Sequence, residues 1–187
     1  SQPVIVENRE GGSGTIGTQE VASSKGDGYT ILVAAIAPTI LQPHYLDLNY
    51  TPESFKAIAQ VSVRDVVVAV KKDAPWNTLE ELIKDAKSEP EKISYAVTKG
   101  VHNQLLFEML SNEAGFKAKL YPVQGDMPSI TAVLSNVADV SVVSSISVIK
   151  PQLDAGEMKA LAIFSANRSS LLPDVPTVKE LGYDLVG

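Results

Sequence analysis

The sequence predicts an α/β fold in two lobes, built on largely parallel sheets, and three observations carry that expectation. First, β-branched apolar runs alternate with helix-period segments along nearly all 187 residues, the pattern of repeated βα units. Second, the apolar run over residues 57–71 is long and is broken by Arg64 and Asp65. A single strand of that length is unusual, so it reads as two strands meeting where the chain crosses between lobes. Third, Ala160-Leu-Ala-Ile-Phe-Ser165 gives the chain a strand for the return crossing. Lobe one then holds residues 1–64 and 161–187, and lobe two holds 65–160.

The elements follow in order. Val4-Ile-Val6 opens as a strand, and a helix carrying Ile16, Val21 and Ala22 on one face is stopped by Lys25-Gly-Asp-Gly28. A second strand spans residues 29–35, and a short helix runs over 38–46. Lobe two is expected to contain helices at 78–87, 101–113, 127–136 and 148–155, with strands at 93–97, 118–123 and 140–143. Thr78-Leu-Glu-Glu81 is a capping box that fixes the first of these helices, and Thr177-Val-Lys-Glu180 is another, predicting a terminal helix. Trp76, just before the first capped helix, reads as a surface-packed aromatic, and Arg64-Asp65 as an incidental exposed pair.

Gly12-Ser-Gly-Thr-Ile-Gly17 matches the spacing of a dinucleotide-binding turn. That chemistry needs glycines directly at a strand end and an acid about 20 residues on to hold a ribose. Four polar residues, Glu7 to Glu10, precede the first glycine, and the following strand runs into Ile36-Ala-Pro38 with no carboxylate. The nucleotide reading fails on its second requirement.

Composition narrows the function classes. The chain has no cysteine, which excludes disulfides and thiolate metal sites. A formal net charge of −6 gives no electrostatic footprint for nucleic acid. It gives no bulk attraction for an anionic ligand either, so such a ligand must be held by local donors. No apolar run is long enough to span a bilayer. The two histidines, His44 and His102, lack metal-ligand spacing. Ser147-Val-Ile-Lys150 matches S-x-x-K without its S-D-N or K-T-G companions, and reads as a helix start with a solvated lysine. Nothing argues for catalysis, and no cofactor is expected.

Binding is better served. Loops at the C-terminal ends of parallel strands bring helix N-termini, with their free N–H groups, to one edge. Four such loops can be placed, at residues 35–39, 98–103, 124–127 and 144–147. Their candidate ligand-binding residues are Ala37, Thr39, Thr98, Lys99, Gly100, Val101, His102, Gln124, Ser144 and Ser145. Plain helix capping explains any one loop alone; four together favour a binding cleft.

Three blocks carry a family resemblance: Pro3-Val-Ile-Val-Glu-Asn-Arg9 through Gly28-Tyr-Thr-Ile-Leu32, Tyr121-Pro-Val-Gln-Gly125 with Ala138-Asp-Val140, and Arg168-Ser-Ser-Leu-Leu-Pro-Asp-Val-Pro-Thr177. In this order they resemble the Bug-type extracytoplasmic solute receptors of tripartite tricarboxylate transporters. The resemblance implies a two-lobe type II periplasmic-binding-protein-like fold, without the N-terminal strand and helix and the C-terminal end that family members carry. It implies a periplasmic receptor with no enzymatic activity, a small organic acid as ligand, and the transporter's membrane permease subunits as partners. The acid would be a di- or tricarboxylate, an amino acid or an aromatic acid. In that family the loop after the second-lobe strand at 93–97 is rich in glycine and Ser/Thr and is followed by a histidine; here Gln104 falls near that histidine. The alternative class is the ligand-sensing domain of a transcriptional regulator, which uses a similar two-lobe fold.

Overall fold

A computed structural model describes residues 2–62 and 65–187. They form two compact units, Ser1–Val61 and Ser62–Gly187.

In the first unit, the tight turn at 11–14 takes positive φ at Gly11, Gly12, Ser13 and Gly14 and feeds helix α1, Thr15–Ala22. Of the predicted apolar face of α1, Val21 and Ala22 are half-buried but Ile16 is 54% exposed. The fully buried positions are Thr15 and Thr18, their hydroxyls donating to Gly12 O and Gly14 O at 2.9 Å. The short helix expected at 38–46 resolves into a π-helical turn, Ala37–Leu41, and a 3-10 turn, Gln42–His44. Buried Tyr50 closes over them by donating its hydroxyl to Pro38 O at 2.8 Å. The strands expected at 4–6 and 29–35 do not form, nor does the first of the two strands expected within 57–71 as far as residue 62, the last described residue before Asp65. These segments find no ladder partner among the described residues, and Val4, Ile5, Val6, Val33 and Ile58 all stand more than three-quarters exposed.

The second unit is an α/β/α sandwich. Its strands are β1 (Val66–Lys71), β2 (Ser94–Thr98), β3 (Lys119–Val123), β4 (Val140–Val143) and β5 (Met158–Phe164). They lie in the order β3-β2-β4-β1-β5. β2 pairs parallel with β3 and β4, whereas β1 runs antiparallel to both β4 and β5. The sheet is therefore mixed, with β1 the reversed strand. Residues 161–187, grouped with 1–64 in the sequence reading, lie here in the same unit as 62–160. Val66 registers with Phe164, and Ile163 bridges Thr177.

Side-chain alternation explains why β1 is apolar throughout. Val66, Val68 and Val70 enter one core with Leu82, Phe107 and Leu110, while Val67 and Ala69 enter the other with Ile130, Ile149 and Met158. Helices α2 (Leu79–Ser88) and α3 (His102–Ala114) cover the first face; α4 (Asp126–Leu134) and α5 (Ile146–Asp154) cover the second. Trp76 belongs to the core, not the surface: it is 8% exposed and its Nε1 donates to Asp85 Oδ2 at 3.0 Å. Arg64 lies outside the described residues, so the expected Arg64–Asp65 pair does too.

The box at 177–180 forms its bonds without a helix. Thr177 N–H donates to Glu180 Oε2 at 2.8 Å, and Glu180 N–H to Thr177 Oγ1 at 3.1 Å. The chain then makes only turns, ending in Gly182 at φ +97.

Candidate functional site

β2, β3 and β4 run the same way and end on one edge of the sheet. Each leads there into a helix: β2 into α3, β3 into α4, β4 into α5. None of these three helices is closed by a side-chain cap; their N-cap residues are Val101, Gly125 and Ser145. The helix that follows the reversed strand behaves differently. α2 starts beyond the opposite edge, and Thr78 Oγ1 accepts from Glu81 N–H at 3.2 Å while Glu81 accepts from Asn77 N–H at 2.6 Å. A helix leaves its first four N–H groups without intrahelical partners, and its dipole makes that end favourable for an anion. One edge of this sheet thus gathers three such ends, and the other has its single end sealed.

The loops on the open edge are tied to one another. Gly125 N–H donates to Thr98 Oγ1 at 2.8 Å, joining the β3–α4 loop to the end of β2. Ser144 donates its N–H to Asp126 at 3.1 Å and its hydroxyl at 2.7 Å, joining the β4–α5 loop to α4. Asn103, 1% exposed, donates Nδ2–H to Val142 O at 2.8 Å and pins the start of α3 onto β4. Its Oδ1 has no hydrogen-bond partner among the described residues. Beneath these ties, Ser129 donates to Ala96 O at 2.7 Å and shares a second bond of 2.7 Å with Ser141. Two glycines make the turns possible: Gly100 at φ +78 and Gly125 at φ +104 adopt backbone that other residues rarely take.

The candidates named from sequence divide between the two units. Ala37 and Thr39 lie in the first: Ala37 is buried, and the Thr39 hydroxyl donates to Ala35 O at 3.0 Å. The other eight lie on the open edge of the second unit. Thr98 ends β2, Lys99 is exposed, Gly100 makes the left-handed turn, Val101 is the N-cap and His102 opens α3. Gln124 is exposed in the β3–α4 loop, and Ser144 and Ser145 precede α5. Ser144 spends both donors on Asp126 and acts as a tie. Lys150 of the S-x-x-K match pairs with Asp154 at 2.6 Å. Among the described residues no group of three His, Cys, Asp or Glu side chains is placed to hold a metal.

Sequence reasoning left three residues off the candidate set. Asp126 lay inside a named loop, but its role depends on Ser144, 18 positions away. Asn103 had a signal: it shares the spacing of Leu106, Phe107 and Leu110 on the buried face of α3. A polar residue on a buried stripe calls for a partner. Gln104 had two weak signals, its position in the first helical turn and its place near the histidine that follows this loop in the family the sequence resembles.

The family described as "Tripartite tricarboxylate transporter family receptor" (TctC) matches residues 1–187. Protein BugT of Bordetella pertussis is 30% identical over 190 residues, covering 97% of this chain and 57% of that protein. MatC from Rhodopseudomonas palustris, solved with bound malate, is 26% identical with a TM-score of 0.78 over 97% of this chain and 62% of that one. A second R. palustris protein, solved with adipate, is 25% identical with a TM-score of 0.80 over 98% and 62%. The chain spans a little over half the length of the curated relatives it matches. These likenesses, on a sheet whose open edge gathers three uncapped helix starts, show that the chain belongs to the tripartite tricarboxylate transporter receptor family, a family of solute-binding receptors and not of enzymes.

Proposed function

We propose that the protein is a periplasmic solute receptor that captures a small organic carboxylate and delivers it to the permease of a tripartite tricarboxylate transporter. The observation that carries this reading is the contrast between the two edges of the sheet. Three helix N-termini without side-chain caps face one way, among loops fixed to one another by Gly125–Thr98 and Asp126–Ser144 bonds. Backbone donors held in place in this manner suit a carboxylate without needing net positive charge.

In this reading the backbone of residues 98–102 and the side chains of Thr98 and Gln124 contact the acid, with Ser145 at the start of α5. Lys99 supplies the one cation of that loop. Ligand contacts made in only one state of the receptor shift the population toward that state, and that state is what the permease receives. The malate and adipate seen in the two R. palustris relatives point to aliphatic dicarboxylates as the first class to try.

The test is titration calorimetry of malate and adipate against the full-length protein, with Lys99→Ala beside the wild type. Saturable binding, weakened roughly 2–5-fold in Lys99→Ala as expected for an exposed ion pair, supports the reading. A folded protein that takes up neither acid overturns the dicarboxylate assignment.

A further inference from the structure

A chain of hydrogen bonds runs from the core of the second unit to the Gly100 turn. Tyr95 on β2 is 3% exposed and packs against Phe107, with ring centroids 4.6 Å apart. Its hydroxyl donates to Glu108 Oε1 at 3.0 Å. Gln104, one turn earlier on α3, donates Nε2–H to the same oxygen at 2.6 Å. The other end of the Gln104 amide, Oε1, accepts the Gly100 N–H at 2.7 Å.

The direction of this chain is dictated by chemistry. An ionised carboxylate only accepts hydrogen bonds, and a backbone N–H only donates. An amide placed between them has one satisfactory orientation, NH2 toward Glu108 and oxygen toward Gly100. The Glu108 charge therefore decides which end of Gln104 meets the loop. Burial and the Glu108 carboxylate together push the Tyr95 phenol well above its ordinary range, so it remains a donor. Gly100 sits at φ +78, a turn that leads the chain from β2 into the uncapped start of α3.

We propose that Glu108 and Gln104 are positioning residues for the ligand loop: Glu108 orients the Gln104 amide, and Gln104 holds the Gly100 turn at the mouth of α3. The consequence for acid binding rests on the receptor reading above; the holding of the turn does not. A side chain that merely filled space would tolerate Gln and Glu at either position. The relay requires one carboxylate and one amide.

The experiment follows Gly100 amide hydrogen exchange in the full-length protein, with malate and adipate calorimetry on the same samples. Gln104→Ala is expected to speed Gly100 exchange about ten-fold, the effect of one lost hydrogen bond. Gln104→Glu sets two carboxylates against each other and is expected to do the same or more. The double variant Gln104→Glu with Glu108→Gln restores one carboxylate and one amide, and is expected to bring exchange back to within about two-fold of wild type. Acid affinity should not return with it, because the introduced carboxylate lies at the ligand loop. Unchanged Gly100 exchange in folded Gln104→Ala, or no recovery in the double variant, overturns the proposal. If exchange follows the expected pattern while the wild type binds neither acid, the relay stands and the dicarboxylate reading falls.

Discussion

The two units of this chain start from similar raw material and end differently. Residues 29–35 and 66–70 are both largely apolar runs that contain β-branched residues. The second run is paired on both sides, by β4 and β5, and Val66 to Val70 are fully buried. The first has no ladder partner among the described residues, and Tyr29, Ile31 and Val33 are exposed. The difference teaches that β-propensity licenses a strand, while neighbours on the sheet and a helix on each face make one.

Hydrogen exchange tests this contrast most sharply. Amides of Val66–Val70 should exchange only through global opening, at least about a thousand-fold more slowly than those of residues 30–35. Protection at 30–35 would break the comparison, because it would mean that another segment pairs with them. Mutational cost should follow the same divide. Phe107→Ala, in the core under α3, is expected to lower unfolding free energy by about 3–5 kcal/mol in urea titrations. Val33→Ala, at an 80% exposed site, should stay within about 0.5 kcal/mol.

A loss between these two is expected from Ser129→Ala. It deprives buried Ser141 of its partner, and denaturation should show about 1–3 kcal/mol. The smallest effect belongs to Glu180. The Thr177 N–H, and then Arg168, hold its carboxyl below the ordinary value of 4.5. A depressed folded value stabilises at pH above the unfolded one and is lost as pH falls through the folded one. The Thr177 amide resonance should therefore move in a step below pH 4.5, and Glu180→Gln should abolish that step.

Most of the second unit was legible in the sequence because its signals are local. The box at 78–81 placed the start of α2 within one residue, Thr78 being its N-cap, and 140–143 is the strand found. The reversal of β1 was not legible: periodicity reports that a strand is buried on two faces but not which way its neighbours run. The box at 177–180 shows the converse limit. Its two hydrogen bonds form, yet Gly182 at φ +97 turns the chain before a helix can propagate. At the candidate site, strand ends and helix starts could be placed from pattern. The ties between them, Thr98 with Gly125 and Ser144 with Asp126, join loops distant in sequence and needed the fold to appear.

The sheet of the second unit also guards its margins, each by a different means. On the β5 side, residues 176–187 lie along the strand: Ile163 N–H donates to Pro176 O at 3.0 Å, Val178 N–H to Ile163 O at 2.9 Å, and Gly187 N–H to Phe164 O at 3.2 Å. On the β3 side the strand is exposed but interrupted by Pro122, which has no N–H to offer, and it opens on Lys119. Proline and lysine are residues that discourage strand addition at an open edge. Polymerisation through this sheet is thereby opposed on both sides.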